Sequence, residues 1–128
     1  MANLAGKKIL RDVFLAFVRV HVLHHAARER IFGVEMMEEL KRHGYDISPG
    51  TLYPLLHALE ECRALVSSQE IVDGKIRKYY RITRSGNALL EELQTKIRIL
   101  VEEVLERRPP RELAAPSGPG KLPANAHA

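Results

Sequence analysis

Three groups of residues in this 128-residue chain have types and spacings that could do chemistry. The first is Ser48, Thr51 and Tyr53, with His57 one turn further on, in the run Ser48-Pro-Gly-Thr-Leu-Tyr-Pro-Leu-Leu-His. Ser before Pro marks a helix start, where the serine can cap free backbone N–H groups. A helix N-terminus carries partial positive charge, so these donors sit where a phosphate would be welcome. The acids Glu60 and Glu61 come only at the far end of the segment. The second group is Lys75, Arg77, Lys78, Arg81 and Arg84, a stretch from Gly74 to Arg84 that contains no acid. The third is His21, His24 and His25, spaced i, i+3, i+4. Neutral imidazoles at that spacing can ligate a divalent metal, with Cys62 or a partner subunit completing the shell. The plainer reading places these histidines at an interface or at the end of a helix, where they could make a contact pH-sensitive. Metal binding by His21, His24 and His25 is therefore kept as a secondary alternative, and no metal or cofactor is expected. Cys62 is expected to be a small buried apolar group.

Enzyme chemistry finds no support. The chain has no G-x-S-x-G, no phosphate-binding Walker loop and no H-E-x-x-H. Asp12, Asp46 and Asp73 are scattered and neighbour no histidine at a useful spacing.

The elements that must position these groups follow from periodicity. Residues 1–7 are expected to be a flexible start. Residues 8–29 form a first helix that is apolar on most sides, with Ile9, Leu10, Val13, Phe14, Phe17, Val18 and Val20. Such a helix needs cover on most sides, from a second chain or from the protein's own later helix. A second helix spans 33–43 and stops at Gly44, a residue suited to the left-handed conformation after a helix. A third spans 48–62, with Leu52, Leu55, Leu56 and Leu59 on one face and Thr51, Tyr53, His57 and Glu61 on the other. Two helices joined by so short a link make a helix-turn-helix candidate. Residues 65–82 read as a β-hairpin turning at Asp73-Gly74, which pairs Val72 with Lys75 and Glu70 with Arg77. That register puts Leu65, Ile71, Ile76, Tyr80 and Ile82 on a core face, and Lys75, Arg77, Tyr79 and Arg81 on a basic outer face. A basic hairpin after a helix-turn-helix is the wing of a winged helix, whose partner is phosphate or the minor groove.

A last helix spans 84–107, with Leu89, Leu93, Ile97, Leu100 and Val104 forming a seam widened by Leu90, Val101 and Leu105. The seam is expected to pack on the first helix of another subunit. The dimer residues would be Val13, Phe14, Phe17, Val20 and His21 from the first helix, and Leu93, Ile97, Leu100, Val101 and Val104 from the last. From residue 108 to 128 the composition turns to Pro, Gly, Ala and Ser, and this tail is expected to be disordered. The fold class is thus mainly α with a small β-hairpin wing: a winged helix-turn-helix over 8–87 plus a long C-terminal helix.

Composition agrees with this outline without demanding it. A net charge of +4 and a pI near 9.4 permit a nucleic-acid partner. One cysteine excludes an intramolecular disulfide and suits a reducing cytoplasm. No segment suggests a signal peptide or a membrane span, so a soluble, cytoplasmic protein is expected.

The run Ser48-Pro-Gly-Thr-Leu-Tyr-Pro-Leu-Leu, then Leu59-Glu60, Gly74-Lys-Ile-Arg-Lys-Tyr-Tyr-Arg-Ile-Thr and Ser85-Gly86, resembles the PadR family of transcriptional regulators. The resemblance covers roughly Ile9 to Leu105. It implies a homodimeric repressor of a palindromic operator, paired through its first and last helices and released by a small-molecule effector or a stress signal. It further implies that Ser48, Gly50, Thr51, Tyr53 and Pro54 lie on the DNA-reading helix, and Lys75, Arg77 and Lys78 on the wing. His57 joins the reading helix from its place on the same face. The chain departs from the family in having no Trp, which some members use to hold flat aromatic molecules, and in having a tight wing.

Overall fold

A computed structural model describes residues 3–106, in the order α1 (Leu4–Arg28), α2 (Gly33–Arg42), α3 (Pro49–Glu61), β1 (Leu65–Val72), β2 (Lys75–Ile82) and α4 (Arg84–Val104). This is a winged helix-turn-helix followed by one long helix. The tail expected over 108–128 lies outside the described residues, as does residue 107 at the expected end of the last helix. The first helix begins at Leu4 and not at residue 8, because the Asn3 side chain accepts a hydrogen bond from the Gly6 N–H at 2.6 Å and caps it.

The core lies where α1, α2 and α3 meet the base of the hairpin. Val18, Val22 and Leu23 of α1, Met36 and Leu40 of α2, and the four leucines of α3 are buried together with Leu65 and Tyr80. The apolar periodicity of α3 is therefore its packing face. In α1 full burial begins at Val18; Phe14 and Leu15 are partly covered, while Ile9, Leu10, Val13 and Phe17 stay exposed.

Both helices of the helix-turn-helix end in the same device. After α2, Tyr45 N–H donates to Leu40 O and Gly44 N–H to Lys41 O, with Gly44 at φ +88°. After α3, Ala64 N–H donates to Leu59 O and Arg63 N–H to Glu60 O, with Arg63 at φ +67°. The second ending has no glycine to announce it. An L-residue in this conformation costs about 1–2 kcal/mol, and the Arg63 carbonyl compensates by accepting from the hydroxyls of Thr83 at 2.5 Å and Ser85 at 2.9 Å.

The hairpin pairs in the expected register, from Leu65 opposite Ile82 to Val72 opposite Lys75. Asp73 (φ +52°) and Gly74 (φ +76°) make the two-residue turn whose twist matches the strands. Ile31 adds a single-residue third strand, exchanging hydrogen bonds of 2.9 and 2.7 Å with Tyr80.

The expected division of the hairpin into a core face and a basic face does not hold. Ile71 and Ile76 are 77% and 69% exposed, because the tip projects past the helices. Tyr79, assigned to the outer face, is only 7% exposed. Near its base the hairpin is covered on both sides, by the helical core at Tyr80 and by Phe32 at Tyr79.

Gly86, in the first turn of α4, meets the end of α3. A Cβ there would stand 2.1 Å from the Ala64 carbonyl oxygen and 2.7 Å from Ile82 Cγ1. Backbone cannot yield as a side chain can, so Gly86→Ala is expected to destabilise the protein by about 1–3 kcal/mol. Urea unfolding monitored by circular dichroism measures this, and an unchanged midpoint would show that the junction adapts.

Candidate nucleic-acid interface

Helix α3 presents its N-terminal end outward because its leucines hold the opposite side. Ser48, Gly50, Pro54 and His57 are exposed, and Thr51 is half-buried. The expected serine cap is not formed: the Ser48 side chain bonds no helix N–H, and its hydroxyl instead lies 3.2 Å from that of Thr51. The Ser48 carbonyl accepts from Thr51 N–H and Leu52 N–H, and Pro49 has no N–H, which leaves the Gly50 N–H at the start of the helix available to an outside acceptor. At Gly50 only the Ser48 hydroxyl lies within 4 Å of where a Cβ would be, so the helix backbone is bare there. Pro54 has no N–H to give the Gly50 carbonyl four residues back, and both residues face solvent.

Arg11, which no sequence pattern singles out, approaches this patch. Its guanidinium reaches the Thr51 hydroxyl at 3.4 Å from α1, forty residues earlier. Nothing local in the sequence links positions 11 and 51; the reach of the Arg11 side chain from α1 to the start of α3 does.

Tyr53, expected on the solvated face of α3, is half-buried against α2. Its hydroxyl lies 2.3 Å from the position a Gly33 Cβ would take, so the missing side chain at Gly33 makes its berth. A cleft of 640 Å³ opens here between the helix-turn-helix and the wing, bordered by Gly33, Tyr53, Lys75, Ile76 and Arg77.

The wing cations are not equivalent. Lys75 and Arg81 are exposed. Arg77 lies over the Phe32 ring, 4.2 Å from its centroid, and donates to the Tyr79 hydroxyl at 3.3 Å. Phe32 meets Tyr79 edge-on at 5.5 Å, and Arg30 covers the Tyr79 ring at 3.8 Å while pairing with Glu70. Cation and aromatic thus alternate in one stack that pins the wing to the start of α2. Lys78 is held by Glu60 of α3 at 3.3 Å. Glu60 is therefore part of the wing's anchor, and not merely an acid kept away from the site. Its carboxyl is held below the ordinary 4.5 by a hydrogen bond from the Ser67 hydroxyl and by Lys78.

The histidines divide differently from the sequence expectation. His24 is exposed and borders a groove between α1 and α4. His21 and His25 face α2, where His43 stacks on His21 at 5.3 Å and Glu39 lies between His25 and His43. Burial, then the neighbouring histidines, push the His21 and His25 imidazoles below their ordinary 6.5. Cys62 is exposed and not buried, because it caps α3 at the surface, and it stands apart from this cluster with its thiol donating to Leu59 O at 3.3 Å.

The α1–α4 groove, about 530 Å³, is almost wholly apolar. Of the expected dimer residues, Val13, Phe17, Ile97, Leu100, Val101 and Val104 are exposed, while Phe14, Val20, His21 and Leu93 are partly buried within the chain.

A sequence profile of the transcriptional regulator PadR-like family matches residues 22–92. The chain belongs to the PadR family. It is 49% identical over 96 residues to the transcriptional regulator Rv3488 of Mycobacterium tuberculosis, a match covering 75% of this chain and 90% of that protein. Among solved structures it is similar to a PadR-like transcription factor from Bacteroides fragilis, with a TM-score of 0.67 and 26% identity over 77% of this chain and 96% of that one. A PadR family transcriptional regulator from Eggerthella lenta superposes with a TM-score of 0.61 at 31% identity, covering 83% of this chain and all of that one. PadR proteins are regulators and not enzymes, in keeping with the absence of catalytic motifs. No helix among the described residues is long and apolar enough to cross a membrane.

The wing's anchorage can be tested at both of its ends. Phe32→Ala should cost about 2–3 kcal/mol in urea unfolding, below the value for a fully buried ring because Phe32 is half-buried, and should speed proteolysis of the hairpin. The lowered carboxyl of Glu60 adds stability that is present above pH 4.5 and lost as the pH falls through its folded value. Glu60→Gln should therefore show a shallower fall in Tm than the parent protein between about pH 5 and pH 3, and equal slopes would remove Glu60 from the anchor.

Proposed function

We propose that this PadR protein is a sequence-specific DNA-binding repressor that acts as a homodimer on a palindromic operator. The observation that carries the reading is the juxtaposition, across one cleft, of Tyr53 of α3 with Lys75, Arg77 and Lys78 of the acid-free β2 strand of the wing. In this reading Ser48, Thr51, Tyr53 and His57 contact bases and phosphates in the major groove, with Gly50 and Pro54 allowing close approach. Lys75 and Arg77 meet the flanking backbone. Lys78, tied to Glu60, contributes less than its place on the wing suggests. The exposed apolar residues of α1 and α4 support pairing through those helices, since uncovered seams of this kind favour association. A dimer would set two reading helices on half-sites about one turn of duplex apart. The groove between α1 and α4 would receive a small apolar effector that releases the operator.

One observation favours a different reading, a winged-helix module that docks protein: Ile71 and Ile76 stand exposed together at the wing tip. A gel shift against the DNA upstream of the protein's own gene separates the two, because a protein-docking module leaves the duplex unshifted.

The DNA reading predicts a salt-dependent affinity. Removing one cation from a phosphate lowers the slope of log K against log salt by about one. Lys75→Ala should lower the slope by that amount and weaken all duplexes alike in fluorescence anisotropy, and an unchanged slope would take Lys75 out of the interface. Tyr53→Phe should weaken operator binding about three- to tenfold through the loss of one hydrogen bond. Equal affinities would show that the Tyr53 hydroxyl touches nothing on the duplex.

A further inference from the structure

The α1–α2 crossing brings together side chains that the transcriptional reading does not use. Nε2 of His43 lies 3.2 Å from Glu39 Oε1, and Nε2 of His25 lies 4.0 Å from the same oxygen. The donor atoms of these three residues all lie within 4.8 Å of one another. Glu39 on α2 and His43 at its C-cap are four residues apart, as are His21 and His25 on α1, so each element turns two groups toward the other. His21 stacks on the His43 ring with an interplanar angle of 23°, and Tyr45 meets His21 edge-on at 4.9 Å. These contacts hold the His43 ring against His21. Arg42 pairs with Glu39 through Oε2, which leaves Oε1 directed at the two histidines.

We infer that His25, Glu39 and His43 form a binding site for a divalent first-row transition metal of the Zn2+ class, clamping α1 to α2. Zinc bonds to imidazole nitrogen and carboxylate oxygen at about 2.0–2.2 Å, which in tetrahedral geometry separates the donors by about 3.3 Å. One of the two contacts to Glu39 already has that spacing, and the other exceeds it by less than an ångström. Two nitrogens and one oxygen suit Zn2+ and its neighbours, and not the hard cations Mg2+ and Ca2+, which take oxygen shells. His43 is exposed, so the fourth position opens to solvent and water fills it. The site differs from the set that spacing along α1 suggests, because His24 turns away and α2 supplies the other ligands.

The inference is independent of DNA binding, and its test requires no duplex. The untagged full-length protein, freed of metal with a chelator, is titrated with Zn2+ by isothermal calorimetry. One Zn2+ per chain is expected, with a rise in Tm on loading and no response to Mg2+. His43→Ala and His25→Ala should lose the saturable site, while His24→Ala and Cys62→Ser should retain it. Circular dichroism checks that each variant folds. Should His25→Ala unfold, the exposed His43→Ala decides alone. Loading with Co2+ gives a second readout, since visible d–d absorption of a low-coordinate site should be present in the parent and absent in His43→Ala. The inference is overturned if the parent protein binds no Zn2+ saturably, if His43→Ala binds as tightly as the parent, or if His24→Ala loses as much as His43→Ala.

Discussion

The burial of four leucines along one side of α3 is the constraint from which the rest of the arrangement follows. Leu52, Leu55, Leu56 and Leu59 lie at the centre of the core, in contact with elements on either side of them in the chain. Each such side chain is worth roughly 1.5–3 kcal/mol when removed from water, against about 0.5–1.5 kcal/mol for a typical neutral hydrogen bond, so four of them outweigh the polar contacts α3 could make in exchange. With that side committed, the polar residues of a thirteen-residue helix can only turn outward or sideways. Ser48, Gly50 and His57 turn outward, and Tyr53 turns sideways onto Gly33. The orientation of the proposed reading surface is thus fixed by apolar packing, and the charges of the wing are arranged around it.

What is legible in the sequence is what local rules govern. The 3.6-residue spacing marks the packing face of α3, and Asp73-Gly74 specifies a turn that admits a single strand register. Gly44 marks the end of α2 because its left-handed conformation suits glycine. The matching end of α3 is hidden, since Arg63 adopts the same conformation and is held there by hydroxyls some twenty residues later in the chain. Tyr79 departs from its expected place for a related reason. Strand alternation states which residues share a face, but not what covers that face. Here Phe32 and Arg30, from the link between α1 and α2, cover the side that alternation leaves to solvent. Arg11 beside Thr51, and Glu39 and His43 beside His25, likewise depend on contacts between elements that no local pattern encodes.

The chain contains two kinds of surface, and they lie in different places. Around α3 and the base of the wing the large apolar groups are mostly covered, and hydroxyls, an imidazole and cations stand exposed, with Val66, Ile71 and Ile76 the uncovered apolar residues of the hairpin. Along the first half of α1 and most of α4 the balance reverses, and apolar side chains stand uncovered in series. Only Gly86 and Leu90 of α4 are fully buried. The second surface has the composition of half a core, which accords with the proposed pairing and requires no such property of the first.

The hydrogen-bonded exchange between Ile31 and Tyr80 ties the hairpin to the helical body at one residue, near its base. Beyond it both strands run on to Asp73-Gly74, flanked over their last stretch by side chains alone. A ribbon held this way behaves as a cantilever whose free length is short, since Arg77 on Phe32 and Lys78 on Glu60 brace it up to the last residues before the turn. The angle of the root is carried by the α1–α2 link, so any shift of α1 against α2 would swing the tip through a wider arc than the shift itself.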